Sequence, residues 1–224
     1  MNIFDRIIAF FQSSPGSSPA RPSPPDSASS FPTLVEKIRI LKEKSGEDLT
    51  ALMYQPDFDK KLRAEILPWL NYNGCLDNDH WVYKHAFNFP GPFYTGESDT
   101  CGTGDGEAPQ NVLYDAHYCE YIFKQPSNFE ELAGVINAAS VEVLDSYSSN
   151  GNEHWTYDLC KEWWSNRRAW LAMLNDVELK KVNRGREQLY IHYLQTDAEQ
   201  DLRRYCFFLE KGYYPAEGEA LPEL

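Results

Sequence analysis

The pattern of apolar residues changes twice along this chain, and these changes constrain the fold more than any other feature of the sequence. From residue 34 to residue 68, and again from residue 128, apolar side chains recur at the spacing of amphipathic helices. Between Trp69 and Lys124, short aromatic runs alternate with Gly, Pro, Asn and Asp, which is typical of strands joined by loops. The sequence therefore predicts an α+β fold, mainly helical, with a small antiparallel sheet in the middle of the chain, between residues 70 and 124.

The helical segments can be bounded one by one. The apolar spacing predicts helices over 34–44, 48–54 and 58–67 before the central region, and over 129–139, 155–174 and 187–211 after it. Pro68 limits the third of these helices and Gly212 is well placed to cap the last. The stretch 96–111 is rich in Gly and acidic residues and is predicted to be a long loop. Long loops inside a domain are often functional.

The first thirty residues differ in composition from the rest. Residues 13–30 contain 8 Ser and 5 Pro, which predicts a flexible linker. Residues 1–12 predict a short amphipathic helix that docks on an apolar groove, with a stripe formed by Ile3, Phe4, Ile7, Ile8 and Phe11. We therefore expect one α+β domain over 31–215, followed by an acidic tail, 216–224, that frays.

Charge is distributed unevenly. The chain has 34 acidic and 21 basic residues, a balance that argues against a nucleic-acid partner. Residues 85–160 hold 12 acidic residues and one basic residue, Lys124, so this segment alone carries a net charge of −11. Three interpretations remain open. The segment is a solvated face that favours solubility, a surface that steers a basic partner, or a calcium site, although only a fragment of a calcium-loop motif is present, Asp77-Asn78-Asp79.

The second interpretation predicts a partner-binding surface in and around the long loop. Acidic side chains would accelerate the encounter with a positive patch, and tyrosines would supply buried anchors. The predicted residues are Tyr94, Glu97, Asp99, Asp105, Glu107, Asp115, Tyr118 and Glu120.

Other kinds of site are weakly supported. The run 101–106 lacks the third glycine of a dinucleotide motif and is flanked by acids that would repel phosphate. No nucleophile with an adjacent base is recognisable, so an enzyme is not favoured and no catalytic residue, metal or other cofactor is predicted. The alternative is an enzyme or a zinc-binding protein that uses the Cys and His residues of 75–119, namely Cys75, His80, His85, Cys101, His117 and Cys119. Their spacing does not form familiar zinc-ligand pairs.

The cellular location is predicted from the cysteines and the N-terminus. Five widely spaced cysteines do not form a secreted disulfide scaffold. The apolar run Ile7–Phe11 is shorter than a signal peptide requires, and no stretch is long and apolar enough to span a membrane. The sequence therefore predicts a cytoplasmic protein without an integral membrane span.

One part of the central region carries a family resemblance. The run Gly-Pro-Phe-Tyr-Thr-Gly-Glu-Ser-Asp-Thr-Cys-Gly-Thr-Gly at 91–104, followed by Glu-Ala-Pro-Gln-Asn-Val-Leu at 107–113 and Tyr-Ile-Phe-Lys-Gln-Pro at 121–126, resembles bacterial proteins encoded beside Rhs and type VI secretion toxins. The resemblance covers about residues 65–215. It implies an immunity protein, or antitoxin, that neutralises a cognate toxin domain by direct binding and occlusion. The acidic segment indicates that such a toxin domain is basic. The oligomeric state is not predicted.

Overall fold

A computed structural model describes residues 32–72 and 74–224. The predicted N-terminal helix and the Ser/Pro-rich linker lie outside these described residues. The described part contains eleven α-helices and four short strands. The helices are α1 (Leu34–Ser45), α2 (Leu49–Met53), α3 (Phe58–Lys61), α4 (Gly104–Glu107), α5 (Phe129–Val141), α6 (Gly151–His154), α7 (Tyr157–Ser165), α8 (Arg167–Leu174), α9 (Val177–Asn183), α10 (Glu187–Gln195) and α11 (Ala198–Lys211). The strands are β1 (Tyr94–Thr95), β2 (Val112–Tyr114), β3 (Glu120–Ile122) and β4 (Tyr147–Ser148).

The predicted fold class is confirmed: the chain is a mainly helical α+β protein with antiparallel strands. The strands form two separate pairs, β1 with β4 and β2 with β3. The strand β4 lies beyond the predicted range, because β1 pairs with a segment that follows α5. The aromatic run Trp81–Tyr83 forms a 3₁₀ turn instead of a strand.

Well-capped helices lie close to their predicted bounds. Thr33 and Glu36 form a reciprocal capping box at the start of α1. Asn128 caps α5 by accepting a hydrogen bond from the Glu131 backbone N–H. Helix α1 buries Leu41 and packs Ile38 against the core, and most of α5 is buried, so the apolar spacing and the cap signal agree.

The last two long predicted helices are each broken once. Asn166 separates α7 from α8, and its side chain donates to the Glu162 carbonyl. Thr196 lies between α10 and α11, and its hydroxyl donates to the His192 carbonyl. Such side chains compete with the main chain for helical carbonyls and interrupt the backbone hydrogen bonds, whereas the apolar spacing of the sequence continues across the break.

The third predicted helix, 58–67, changes type along its length. It begins as α3, passes through a π-turn at Leu62–Ile66 and ends in a 3₁₀ turn at Leu67–Leu70.

Two hydrophobic cores lie on opposite faces of the β2–β3 hairpin. Val112 and Ile122 pair across the hairpin and belong to the core formed with α1, α2 and α5. Leu113 and Tyr121 form the next pair and belong to an aromatic core built with α7 to α11. Because alternate residues of a strand point to opposite faces, each of these three-residue strands contributes side chains to both cores.

The acidic tail is held against the helical part of the chain. Arg203 on α11 donates to the carbonyl oxygens of Pro222 (2.7 Å) and Leu221 (3.1 Å). The Tyr157 hydroxyl donates to the Glu223 carbonyl at 2.5 Å. Residues 221–223 therefore have partners, although the sequence predicts a frayed tail.

Gly151, the first residue of α6, is expected to tolerate no side chain. A Cβ atom there would lie 2.1 Å from the Gly91 carbonyl oxygen and 2.9 Å from that of Pro92. Because both obstacles are backbone, we expect Gly151→Ala to lower the free energy of unfolding by about 3 kcal/mol. Urea denaturation measures this. Gly106→Ala is the control, since nothing lies within 4 Å of its Cβ position, and it should change stability by less than about 1 kcal/mol. Equal losses in the two variants would contradict the packing described.

Candidate functional site

Three of the eight predicted partner-binding residues are buried inside the protein. Tyr94 and Glu120 have no exposed surface, and Asp99 is only 8% exposed. Their polar groups have internal partners, so they are not part of an open surface. The other five, Glu97, Asp105, Glu107, Asp115 and Tyr118, are exposed or half-buried.

Glu120 holds three segments together. Its carboxylate accepts hydrogen bonds from the Gly104 backbone N–H at 2.8 Å and from the Tyr147 hydroxyl at 2.5 Å. Its own backbone N–H donates to the Ser98 hydroxyl. Burial raises the pKa of Glu120, although the hydrogen bonds from Tyr147 and Gly104 oppose the rise. The residue therefore joins the loop before α4 to β3 and β4.

The same carboxylate explains why the glycine run of 101–106 holds no phosphate cradle. The Gly104 N–H opens the short helix α4, where an anion would bind, and the Glu120 carboxylate already occupies that position. A Cβ atom at residue 104 would lie 2.3 Å from Glu120 Oε2. Glycine is thus required there so that the carboxylate can approach the backbone.

Asp99 joins the long loop to the segment after α5. Its carboxylate accepts from the backbone N–H groups of Cys101 (2.7 Å) and Val143 (3.1 Å). In the opposite direction, buried Glu142 accepts from the N–H groups of Asp99 and Ser146. Burial alone would raise the pKa of Asp99, but the hydrogen bonds from Cys101 and Val143 outweigh it and lower the pKa. These acids shape the loop.

Asp105 and Asp115 also have internal partners. Arg186 binds Asp105 at 2.5 Å and donates to the Pro109 carbonyl, which fixes α4 and the loop after it. Asp115 accepts from His85 and from two N–H groups of its own hairpin loop, and these bonds outweigh the effect of burial and lower its pKa. Tyr118 is 47% exposed beside this loop, with its ring 6.4 Å from that of Tyr114.

An acidic groove runs beside α5. It consists of three adjoining clefts of about 550, 580 and 510 Å³. Asn128 and Glu130 line both the first and the second cleft, and Glu107 and Asn137 line both the second and the third. Six carboxylates line this acidic groove: Glu47, Asp48, Glu107, Glu130, Glu131 and Asp145.

Two lysines line the acidic groove as well, so its six carboxylates leave a net charge of −4. Lys42 is paired with Glu47 at 2.7 Å. Lys37 is only 8% exposed, donates to Asn137 Oδ1 at 2.7 Å and contacts the Tyr72 hydroxyl. Asn137 in turn donates to Glu107 at 3.1 Å. This network orients the Glu107 carboxylate at the junction of two clefts.

Apolar side chains also line the acidic groove. Leu34 at the start of α1 is 43% exposed, and Val141 at the end of α5 is 41% exposed. Exposed apolar groups inside a charged cleft are the kind of anchor from which interfaces gain affinity. The acidic groove can therefore bind a chain that carries both positive and apolar side chains.

Known proteins give no guide to this site. No protein-family model, no curated protein and no solved structure matches this chain. The resemblance carried by residues 91–126 stays a prediction.

The Cys and His residues of 75–119 are dispersed. In the described part of the chain, no group of three or more His, Cys, Asp or Glu side chains is arranged to hold a metal ion. Cys75 is buried, which raises the pKa of its thiol to about 12, whereas Cys101 is exposed. His85 accepts the Phe87 N–H at Nδ1 and therefore faces Asp115 with a protonated Nε2.

None of the described helices is both long enough and apolar enough to cross a membrane.

Of the eight predicted residues, the structure brings only Glu107 into the acidic groove. Sequence analysis missed Glu47 and Asp48, which lie outside the acidic segment, and it did not single out Glu130, Glu131 or Asp145. The charge count over 85–160 was the available signal for the last three, but it does not separate exposed acids from buried ones.

Proposed function

We propose that this protein is a binding protein that neutralises a basic protein partner by occupying and covering its positive surface. The observation that carries the proposal is the acidic groove, with six carboxylates along three adjoining clefts and exposed apolar side chains among them. The resemblance noted above supports a toxin domain as the partner and an immunity role in the cytoplasm.

The electrostatics favour encounter with a basic partner. Five of the six groove carboxylates are exposed, and in the described part of the chain only Glu47 among the six has an ion-pair partner. A cleft whose lining carries a net charge focuses the field and raises association rates with an opposite charge. Charge alone gives fast but weak binding, so Leu34 and Val141 would supply the desolvated contacts.

Affinity capture with matched baits tests the proposal. The full chain is used as bait against lysate of the native host, beside a groove variant, Glu107→Lys/Glu130→Lys/Asp145→Lys. A control variant, Glu153→Lys/Glu210→Lys/Glu217→Lys, has the same net charge and places its changes at exposed residues outside the acidic groove. We expect the wild-type and control baits to capture one basic protein and the groove variant to lose it.

Two growth measurements test whether the captured protein is a toxin that this chain neutralises. Expression of the captured protein should arrest growth, and co-expression of the wild-type chain should relieve the arrest. The proposal is wrong if no basic protein is captured, or if the groove variant captures it as well as the control does.

A further inference from the structure

Four of the six tryptophans line one cleft, whose lining residues differ from those of the acidic groove. This tryptophan cleft has a volume of about 310 Å³ and is lined by Trp81, Trp155, Trp163 and Trp170, together with Lys84 and Glu162. It shares no lining residue with the acidic groove. Its volume is at the lower end for small-molecule sites.

The indole rings are held in fixed orientations. Trp163 donates to the Ala86 carbonyl at 3.1 Å and Trp170 donates to the Trp163 carbonyl at 3.3 Å. Trp81 and Trp155 meet edge to face, with ring centroids 5.0 Å apart. The aromatic surfaces are therefore preorganised, which lowers the entropic cost of binding a flat ligand.

Lys84 places a positive charge among these rings. Its Nζ atom lies 4.6 Å from the Trp155 ring centroid and 5.1 Å from that of Trp81. Within the described residues, its ammonium has neither a hydrogen-bond acceptor nor a carboxylate partner. Burial lowers the pKa of Lys84, which is the effect expected of an ammonium without a counter-ion.

A second donor, buried behind the cleft surface, lacks an acceptor. Trp155 is 5% exposed, and its indole N–H has no hydrogen-bond partner within the described residues. Buried donors of this kind are rare in folded proteins. The cleft is therefore lined by indole side chains and an unpaired ammonium, whereas the Trp155 N–H is shielded from solvent. Glu162 is the opposing charge, and it is solvent-exposed on α7.

We propose that the tryptophan cleft binds a small planar aromatic carboxylate, with its ring against the indoles and its carboxylate on the Lys84 ammonium. The aromatic faces select a flat apolar body, and the unpaired ammonium selects an anion over a neutral or cationic analogue. A cation in the cleft would instead have to displace Lys84 from the two rings that it contacts.

Isothermal titration calorimetry of the full chain with four probes tests this site. The probes are naphthoate, the neutral naphthalenemethanol, the cationic naphthylmethylammonium and the non-aromatic cyclohexanecarboxylate. We expect naphthoate to bind about tenfold or more tightly than each of the other three. Glu162→Gln should strengthen naphthoate binding, because it removes the opposing charge from the cleft.

Matched lysine variants test whether Lys84 is responsible for the preference for naphthoate. Lys84→Met keeps an apolar chain against the rings and should reduce naphthoate binding to the level of the neutral alcohol. Lys44→Met is the control, since Lys44 lies 3.4 Å from the ring centroid of Trp69, which does not line the cleft. Near-ultraviolet circular dichroism verifies that both variants are folded, and Lys84→Gln replaces Lys84→Met if needed.

The proposal is overturned if none of the probes binds at millimolar concentration, if the alcohol or the ammonium binds as well as naphthoate, or if Lys44→Met weakens binding as much as Lys84→Met. Because none of these variants changes a residue that lines the acidic groove, failure here leaves the proposed protein-binding function standing, and failure of the capture experiment leaves this site standing.

Discussion

Replacement of Glu120 by alanine should cost about 3–5 kcal/mol in the free energy of unfolding. The Tyr147 hydroxyl and the Gly104 N–H would both lose their acceptor in a region without exposed surface. A buried donor left unsatisfied costs about 1–3 kcal/mol, and the lost side chain also leaves a cavity. Urea denaturation followed by circular dichroism measures the loss.

Glu97→Ala is the matched control for this prediction. Glu97 is an acid of the same loop region, but it is exposed and its side chain makes no hydrogen bond within the described residues. We expect its removal to change stability by less than about 0.5 kcal/mol. A Glu120→Ala protein as stable as the Glu97→Ala protein would show that Glu120 does not join these segments.

The ionisation of Glu120 gives the same prediction a pH dependence. Its pKa is raised in the folded state by burial, so the folded protein binds this proton more tightly than the unfolded chain does. The resulting stabilisation is complete below the unfolded pKa and is lost as the pH rises through the folded pKa. Relative to the Glu120→Gln variant, the wild-type protein should therefore lose stability as the pH rises above the ordinary glutamate pKa of 4.5. A constant difference would contradict the raised pKa.

The parts of the fold that depend on local signals could be predicted from the sequence. Helix α1 is predicted over 34–44 and spans Leu34–Ser45, because Thr33 caps its start and Gly46, with a positive φ, ends it. The breaks at Asn166 and Thr196 were missed, since one side-chain hydrogen bond ends the helix without changing the apolar spacing. Side-chain hydrogen bonds to the backbone decide where a helix ends, and the spacing of apolar residues reveals only some of these ends.

The candidate site depends on contacts between distant residues, which the sequence does not reveal. Glu120 is hydrogen-bonded to Tyr147, which lies 27 positions away in the sequence, and Asp99 is hydrogen-bonded to Glu142, which lies 43 positions away. In the sequence, a buried acid that accepts hydrogen bonds from backbone N–H groups cannot be distinguished from an acid that faces solvent. The charge count over 85–160 therefore indicated an acidic surface but could not assign its residues. The acidic groove was visible only once α1, α5 and the loop after α4 were placed together.

The acidic groove should control the rate at which the captured basic partner associates. Glu107, Glu130 and Asp145 are exposed and line adjoining clefts. Reversal of the three charges turns attraction into repulsion at the surface that the partner approaches. We expect Glu107→Lys/Glu130→Lys/Asp145→Lys to slow association at low ionic strength by about tenfold or more.

Salt provides an internal check on this second prediction. At about 0.15 M salt the Debye length is about 8 Å, so long-range attraction is largely screened. The wild-type association rate should fall steeply between low salt and 0.15 M, whereas the rate of the groove variant should depend on salt much less. All variants should remain folded, because none of the three side chains caps a helix or lies in a core, but the groove variant should unfold at a lower urea concentration since Glu107 loses the hydrogen bond from Asn137 and Asp145 has a φ of 50°.

Stopped-flow association of the captured partner with the wild-type chain, the groove variant and the Glu153→Lys/Glu210→Lys/Glu217→Lys control tests the central claim most directly. The two variants have the same net charge, so any difference between them reports the position of the charges. We predict that the groove variant associates about tenfold or more slowly at low salt and that the control remains within about threefold of the wild-type chain. Equal rates for the two variants would contradict binding at the acidic groove.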